Sequence, residues 1–252
     1  MTPETKHALT KVPEVTLLFW IIKIFATTLG ETGGDAVSMS MGLGYLIGTL
    51  IFAAVFTLMV VAQIRASKFH PTLYWATIIA TTTLGTTIAD MATRDMGIGY
   101  TGGSLVLLVL LLGSLLVWKK TLGSVSFRTI CTPKAEMFYW LTIMFSQTLG
   151  TALGDWTADT AGLGYTGAAI IFGSLLAIVA GLFFWTKVSR TVLFWSAFVL
   201  TRPLGAVVGD YLDKPHAQGG LELSRYTASL VLVVLILICL FAFKHRASEQ
   251  HH

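Results

Sequence analysis

Two acidic residues four positions apart, Glu31 and Asp35, are joined by three aspartates in register with the second: Asp90, Asp155 and Asp210. These are the residues of the chain whose types and spacing could do chemistry. Each aspartate lies five residues after a glycine and fifteen after a tryptophan: Trp20, Gly30, Asp35; Trp75, Gly85, Asp90; Trp140, Gly150, Asp155; and Trp195, Gly205, Asp210. Positions four apart share one face of a helix, so the carboxylates of Glu31 and Asp35 point into the same space. Two like charges that close cannot both ionise unless a cation shares them; otherwise one keeps its proton. Metal binding and proton exchange are the two chemistries such a pair allows.

Reading back from each aspartate in steps of four gives four polar stripes: Lys23, Thr27, Glu31, Asp35; Thr82, Thr86, Asp90; Gln147, Thr151, Asp155; and Arg202, Ala206, Asp210. The carboxylates are candidate metal ligands. Thr27, Thr86, Thr151 and Gln147 could add neutral oxygens along a path. With no His or Cys in the stripes, the donor set favours a hard cation such as Mg²⁺, Mn²⁺ or Ca²⁺ over zinc or copper. Lys23 and Arg202 are the counter-charges. Arg202 could pair with Asp210 or with Glu31, or it could recognise an anionic or organic solute. The stripes could equally serve as interhelical glue in a scaffold or sensor partner.

The elements that carry these residues are long and apolar. Of the 252 residues, 54% are hydrophobic and 12% charged, against about a quarter charged in soluble domains. Eight charge-poor stretches, near 14–37, 44–64, 72–92, 99–118, 135–157, 164–186, 191–211 and 224–244, are each long enough to cross a bilayer as a helix. A carboxylate at the centre of such a span costs roughly 2.5–3.5 kcal/mol on insertion scales unless it is paired, hydrogen-bonded, protonated or facing water, so these acids share a purpose, structural or functional. The expected fold class is an all-α polytopic membrane protein, one membrane domain of eight spans. Lys6, Lys11, Arg65, Lys68, Lys119, Lys120, Arg128, Lys134, Lys187, Arg190, Lys244 and Arg246 fall on one side of that arrangement, and only Arg94, Lys214 and Arg225 on the other. The imbalance places both termini in the cytoplasm. It also accounts for the net charge of +4 without a nucleic-acid partner.

The spans form four tandem units, about 12–66, 67–120, 132–187 and 188–245, offset by 55, 65 and 55 residues. Each opens on an aromatic–Trp pair and turns through a glycine-rich segment such as Gly42-Leu43-Gly44-Tyr45. The fourth inserts Asp213 to Gln218 instead. Because every unit holds two spans, the repeats are parallel rather than inverted. Small residues precede each aspartate by five and by one: Gly30 and Gly34, Gly85 and Ala89, Gly150 and Gly154, Gly205 and Gly209. They let backbones approach, so the odd helices are expected at the centre and the Leu/Val/Ile-rich even helices outside. The tryptophans read as interface anchors. Over residues 12–245 this pattern resembles a bacterial inner-membrane family described as four tandem two-helix repeats of unknown function, or as "membrane-anchored protein". The resemblance implies the architecture and a bacterial inner membrane.

Enzyme chemistries find little support. There is no HExxH, no CxxC, no phosphate-cradling loop and no nucleophile–base pair, and His7, His70, His216 and His245 fall in loops or tails. Cys131 and Cys239 have neither disulfide nor thiolate-metal spacing. The expectation is a non-enzymatic transporter of a small divalent cation, export slightly favoured and proton coupling allowed. It holds no permanent cofactor and its partners are the bilayer and its cargo, with self-association left open. The alternatives are a carrier for an organic or anionic solute through Arg202, and a non-transporting scaffold.

Overall fold

A computed structural model describes residues 11–126, 130 and 132–248; Lys6, His7, Arg128, Cys131, His251 and His252 lie outside them. The described residues form eight long helices: α1 (Leu17–Asp35), α2 (Gly44–Arg65), α3 (Pro71–Asp90), α4 (Gly99–Leu122), α5 (Pro133–Asp155), α6 (Gly164–Trp185), α7 (Arg190–Asp213) and α8 (Arg225–Ala242). Local signals set their starts. The hydroxyls of Thr16 and Thr132 accept from the Phe19 and Ala135 amides and cap α1 and α5. Pro71 and Pro133 occupy first turns, where a missing N–H costs nothing.

Five helices, α2, α4, α6, α7 and α8, are long and apolar enough to cross a membrane. The other three, α1, α3 and α5, fall short on hydropathy for a physical reason. Their threonines, glycines and carboxylates face inward and are buried by protein, so they need no apolar surface there. The even helices expose their leucines, valines and isoleucines instead.

The odd helices close a ring in which α1 packs on α3, α3 on α5, α5 on α7 and α7 on α1. Each even helix packs on the odd helix of the following unit: α2 on α3, α4 on α5, α6 on α7, and α8 round to α1. The seam is fastened twice more. Thr32 and Ser229 share a hydrogen bond of 2.9 Å between α1 and α8. The segments flanking α1 and α8 pair side by side, with the Glu14 amide donating to the Arg246 carbonyl at 2.9 Å and the Ser248 amide to that of Val12 at 2.8 Å.

Repeated sequence positions become repeated contacts around this ring. A methyl group added at Gly30 would run into Thr82, at Gly85 into Gln147, at Gly150 into Arg202, and at Gly205 into Thr27. Each glycine thus receives the side chain three residues before the next unit's glycine, and the fourth contact returns to the first unit. Gly34, Gly154 and Gly209 sit likewise against Thr86, Ala206 and Glu31. The aromatic–Trp pairs obey the same rule: Phe19 lies on Trp75, Tyr74 on Trp140, Tyr139 on Trp195, and Phe194 on Trp20, at centroid distances of 5.2, 5.6, 6.2 and 6.0 Å. This corrects the reading of the tryptophans as interface anchors. Trp75, Trp140 and Trp195 are buried because each is the seat for its neighbour's aromatic ring.

Candidate functional site: an ionic axis

The ring encloses a column of buried side chains in layers, one residue from each odd helix. At the end nearest the termini lie Phe19, Tyr74, Tyr139 and Phe194, with the two tyrosine hydroxyls 2.6 Å apart. Above them come Lys23, Ile78, Ile143 and Phe198, all fully buried. The Lys23 ammonium sits 4.1 Å above the centre of the Phe198 ring, a cation–π contact. The next layers are Thr27, Thr82, Gln147 and Arg202, then Glu31, Thr86, Thr151 and Ala206, and finally the four aspartates. Every residue singled out in the stripes is therefore buried in one column.

Arg202 defines the centre. From α7 it reaches all three other odd helices: one guanidinium nitrogen shares its two N–H groups among Glu31 Oε2 at 3.0 Å and the hydroxyls of Thr86 and Thr151 at 2.5 Å each, while another points to the Thr27 carbonyl at 3.4 Å. Its partner is thus Glu31 across the axis, not Asp210 on its own helix. Thr86 in turn faces Glu31 Oε2 at 3.3 Å. The odd helices run unbroken through their Leu-Gly steps. The departure comes just after the aspartate, where three units make one wide π-helical turn, Ala36–Ser40, Met91–Asp95 and Trp156–Thr160. Such turns recur at functional sites.

The four aspartates are not equivalent. Arg94 lies 3.1 Å from Asp90 Oδ1 and 3.3 Å from Asp155 Oδ2, and it also donates to the hydroxyls of Tyr100 and Tyr45 at 3.1 and 3.0 Å. On the opposite side of the ring Lys214 lies 2.9 Å from Asp35 Oδ2 and 3.1 Å from Asp210 Oδ1. Burial disfavours the ammonium, but the carboxylates of Asp210 and Asp35 outweigh it and hold the Lys214 pKa far above the ordinary lysine value. Arg225 binds Asp213 at 2.7 Å and stands 3.7 Å from Asp35. Glu31, Asp35 and Asp210 bring carboxylate oxygens within 4.8 Å of one another, all buried, and Asp35 Oδ1 has no hydrogen-bond partner. Asp90 and Asp155 belong to the same layer but not to this close trio, so the five acids divide into three and two by contact distance.

The charge bias places Arg94, Lys214 and Arg225 on the minority side of the spans. All three are ion-pair partners of the aspartate layer. The signal was present: Arg94 and Lys214 each lie four residues beyond their own aspartate, one more step along the same stripe.

Ring, apolar wrapping and ionic axis together define a helical repeat protein suited to a membrane. The chain belongs to the repeat family of unknown function DUF347, whose family model matches four successive stretches, 18–69, 73–123, 138–189 and 193–248. No curated protein and no solved structure matches it.

Proposed function

We propose that this protein carries a small hard divalent cation, of the Mn²⁺/Mg²⁺/Ca²⁺ class, across a bacterial inner membrane, binding it at Glu31, Asp35 and Asp210. The observation that carries the reading is the trio of buried carboxylates with oxygens within 4.8 Å of one another. Converging hard oxygens suit such an ion. All eight helices are taken to span. Their 18 to 24 residues correspond to roughly 27–36 Å of rise, enough for the hydrocarbon core. The bias of lysine and arginine puts the termini in the cytoplasm and the aspartate layer in the outer half, which favours export.

A carrier suits the column better than a channel. Between the trio and the cytoplasmic end lie Arg202, Lys23, Phe198 and the aromatic layer, all buried, so an ion passes only if the helices shift. The anion-carrier alternative is weakened because the Arg202 guanidinium already serves Glu31, Thr86 and Thr151. One observation favours a structural role for half of the layer: Asp90 and Asp155 are joined by Arg94, itself held by two tyrosines. That half acts as interhelical glue.

The test is uptake by proteoliposomes of the purified protein against Mn²⁺, Mg²⁺, Ca²⁺, Zn²⁺ and Co²⁺, beside Glu31→Gln. Selective flux for a hard cation, lost in the variant, supports the reading. Folded protein silent with every cation sinks it, and flux of an organic anion lost in Arg202→Lys would replace it.

A further inference from the structure

The two ion-pair sets of the aspartate layer are copies of one arrangement. In each, a cation four residues beyond its unit's aspartate also reaches the aspartate of the next unit: Arg94 joins Asp90 to Asp155, and Lys214 joins Asp210 to Asp35. The copies differ at three points. The cation is a guanidinium in one and an ammonium in the other. The guanidinium is anchored by the Tyr45 and Tyr100 hydroxyls, while among the described residues the Lys214 ammonium pairs with the two carboxylates and no tyrosine. A third carboxylate, Glu31, approaches the Lys214 set, where Thr86 and Thr151 occupy its position in the units of the Arg94 set.

We propose that Lys214 is a tethered competitor for the cation site: its ammonium holds Asp35 and Asp210 until a divalent ion displaces it. This rests on the cation-carrier reading and adds the device that makes binding there reversible. An ammonium is a compact point charge on a flexible stem, whereas a guanidinium grips carboxylates through a planar fork. The ammonium can therefore swing away, and it keeps its proton when it does. Displacement replaces one positive charge by two among three carboxylates, while Arg202 remains on Glu31 and Arg225 on Asp213.

Buried oxygens without a hydrogen bond occur in both sets, at Asp35 Oδ1 and at Asp90 and Asp155, but of these three residues only Asp35 lies beside a third carboxylate, and Lys214 leaves its Oδ1 open by using Oδ2. The segment after Lys214 fixes where the tether is rooted. The Glu222 amide donates to the Lys214 carbonyl at 3.0 Å, and Gly220 passes so close to that carbonyl that no side chain fits there. With the backbone pinned, displacement falls to the side chain alone. Self-competition of this kind lowers apparent affinity by the fraction of time the site is taken, which lets a site of three carboxylates release its ion.

The experiment is Mn²⁺ binding to the detergent-solubilised full chain, followed by electron paramagnetic resonance, for the wild type, Lys214→Met, Lys214→Arg and Arg94→Met. Lys214→Met is expected to tighten binding by about tenfold or more, and Lys214→Arg to weaken it by a similar factor, because a fork replaces a point charge. Arg94→Met should leave the affinity unchanged. Should Lys214→Met bind no more tightly than a wild type that does bind Mn²⁺, the competitor role is overturned and the carrier reading survives. If neither form binds Mn²⁺, and neither binds Ca²⁺ by isothermal titration, both fall. A second measurement needs no variant. Labelling of wild-type Lys214 by an amine-directed reagent, read by mass spectrometry, should rise severalfold on saturation with Mn²⁺. Unchanged labelling at saturation also overturns the proposal.

Discussion

Arg202, on the last odd helix, donates to Glu31, on the first, at 3.0 Å with both side chains buried. The ion pair therefore lies across the seam where the two ends of the chain meet, and it links the proposed ion site to the closure of the ring. Removing one partner leaves a buried charge alone, which typically costs about 3–5 kcal/mol, whereas removing both can cost far less. Arg202→Met and Glu31→Gln should each lower the unfolding temperature in detergent, and the double variant should recover much of the loss. Strict additivity would show that the pair is not coupled.

The glycines of the ring should be intolerant in proportion to their closeness. Gly205→Ala and Gly150→Ala place a methyl group against Thr27 and Arg202 and should destabilise by about 1–3 kcal/mol through overpacking. Gly113, in α4, has open space around it. Gly113→Ala should be neutral or stabilise by up to about 1 kcal/mol, since alanine suits a helix better than glycine. Thermal unfolding of the three variants decides it.

The four aspartates, alike in sequence, should separate by function. Asp35→Asn and Asp210→Asn should abolish hard-cation binding and flux. Asp90→Asn and Asp155→Asn should retain binding and lose stability, because they strip a carboxylate from Arg94 rather than from the ion. Binding measured beside unfolding temperature for all four distinguishes this from a single four-aspartate site, in which every variant would lose binding.

The spanning arrangement makes its own demand. With the native cysteines replaced, single cysteines at Leu43, Ile98 and Leu163 should react with an impermeant maleimide from the outside of intact cells. Cysteines at Ser124 and Lys187 should react only after permeabilisation. Mixed reactivity at the three turns would refute eight parallel-repeat spans.

How far the sequence leads can be judged residue by residue. The strict Trp–Gly–Asp register and the small residues four apart were enough to place the odd helices centrally, because close backbone approach admits little else. The stripes led to one column for the same reason: Lys23, Arg202 and Glu31 had to find partners inside. The pairing within the column was not legible. It depends on α7 meeting α1, a contact between the far ends of the sequence, and this alone singles out Asp35 and Asp210 by adding Glu31. Charge bias hides the role of Arg94 and Lys214, because it treats cations beyond a span as solvated, although helical spacing puts them on the stripe. The tryptophans misled for a related reason: an aromatic near a helix end serves an interface or a neighbouring ring equally well, and only the neighbour decides.

The forward step of every even helix onto the next unit's odd helix bears on how such a chain came to exist. No unit, and no pair of units, can finish its own packing. A two-unit half would leave the outer face of α1 bare and the inner face of α4 without a seat, and two such halves would satisfy each other. The 65-residue offset between the second and third units falls at the boundary between those two halves. Where the polypeptide is cut is incidental to the ring: opened between α4 and α5 and rejoined at its present ends, it would remain the same molecule.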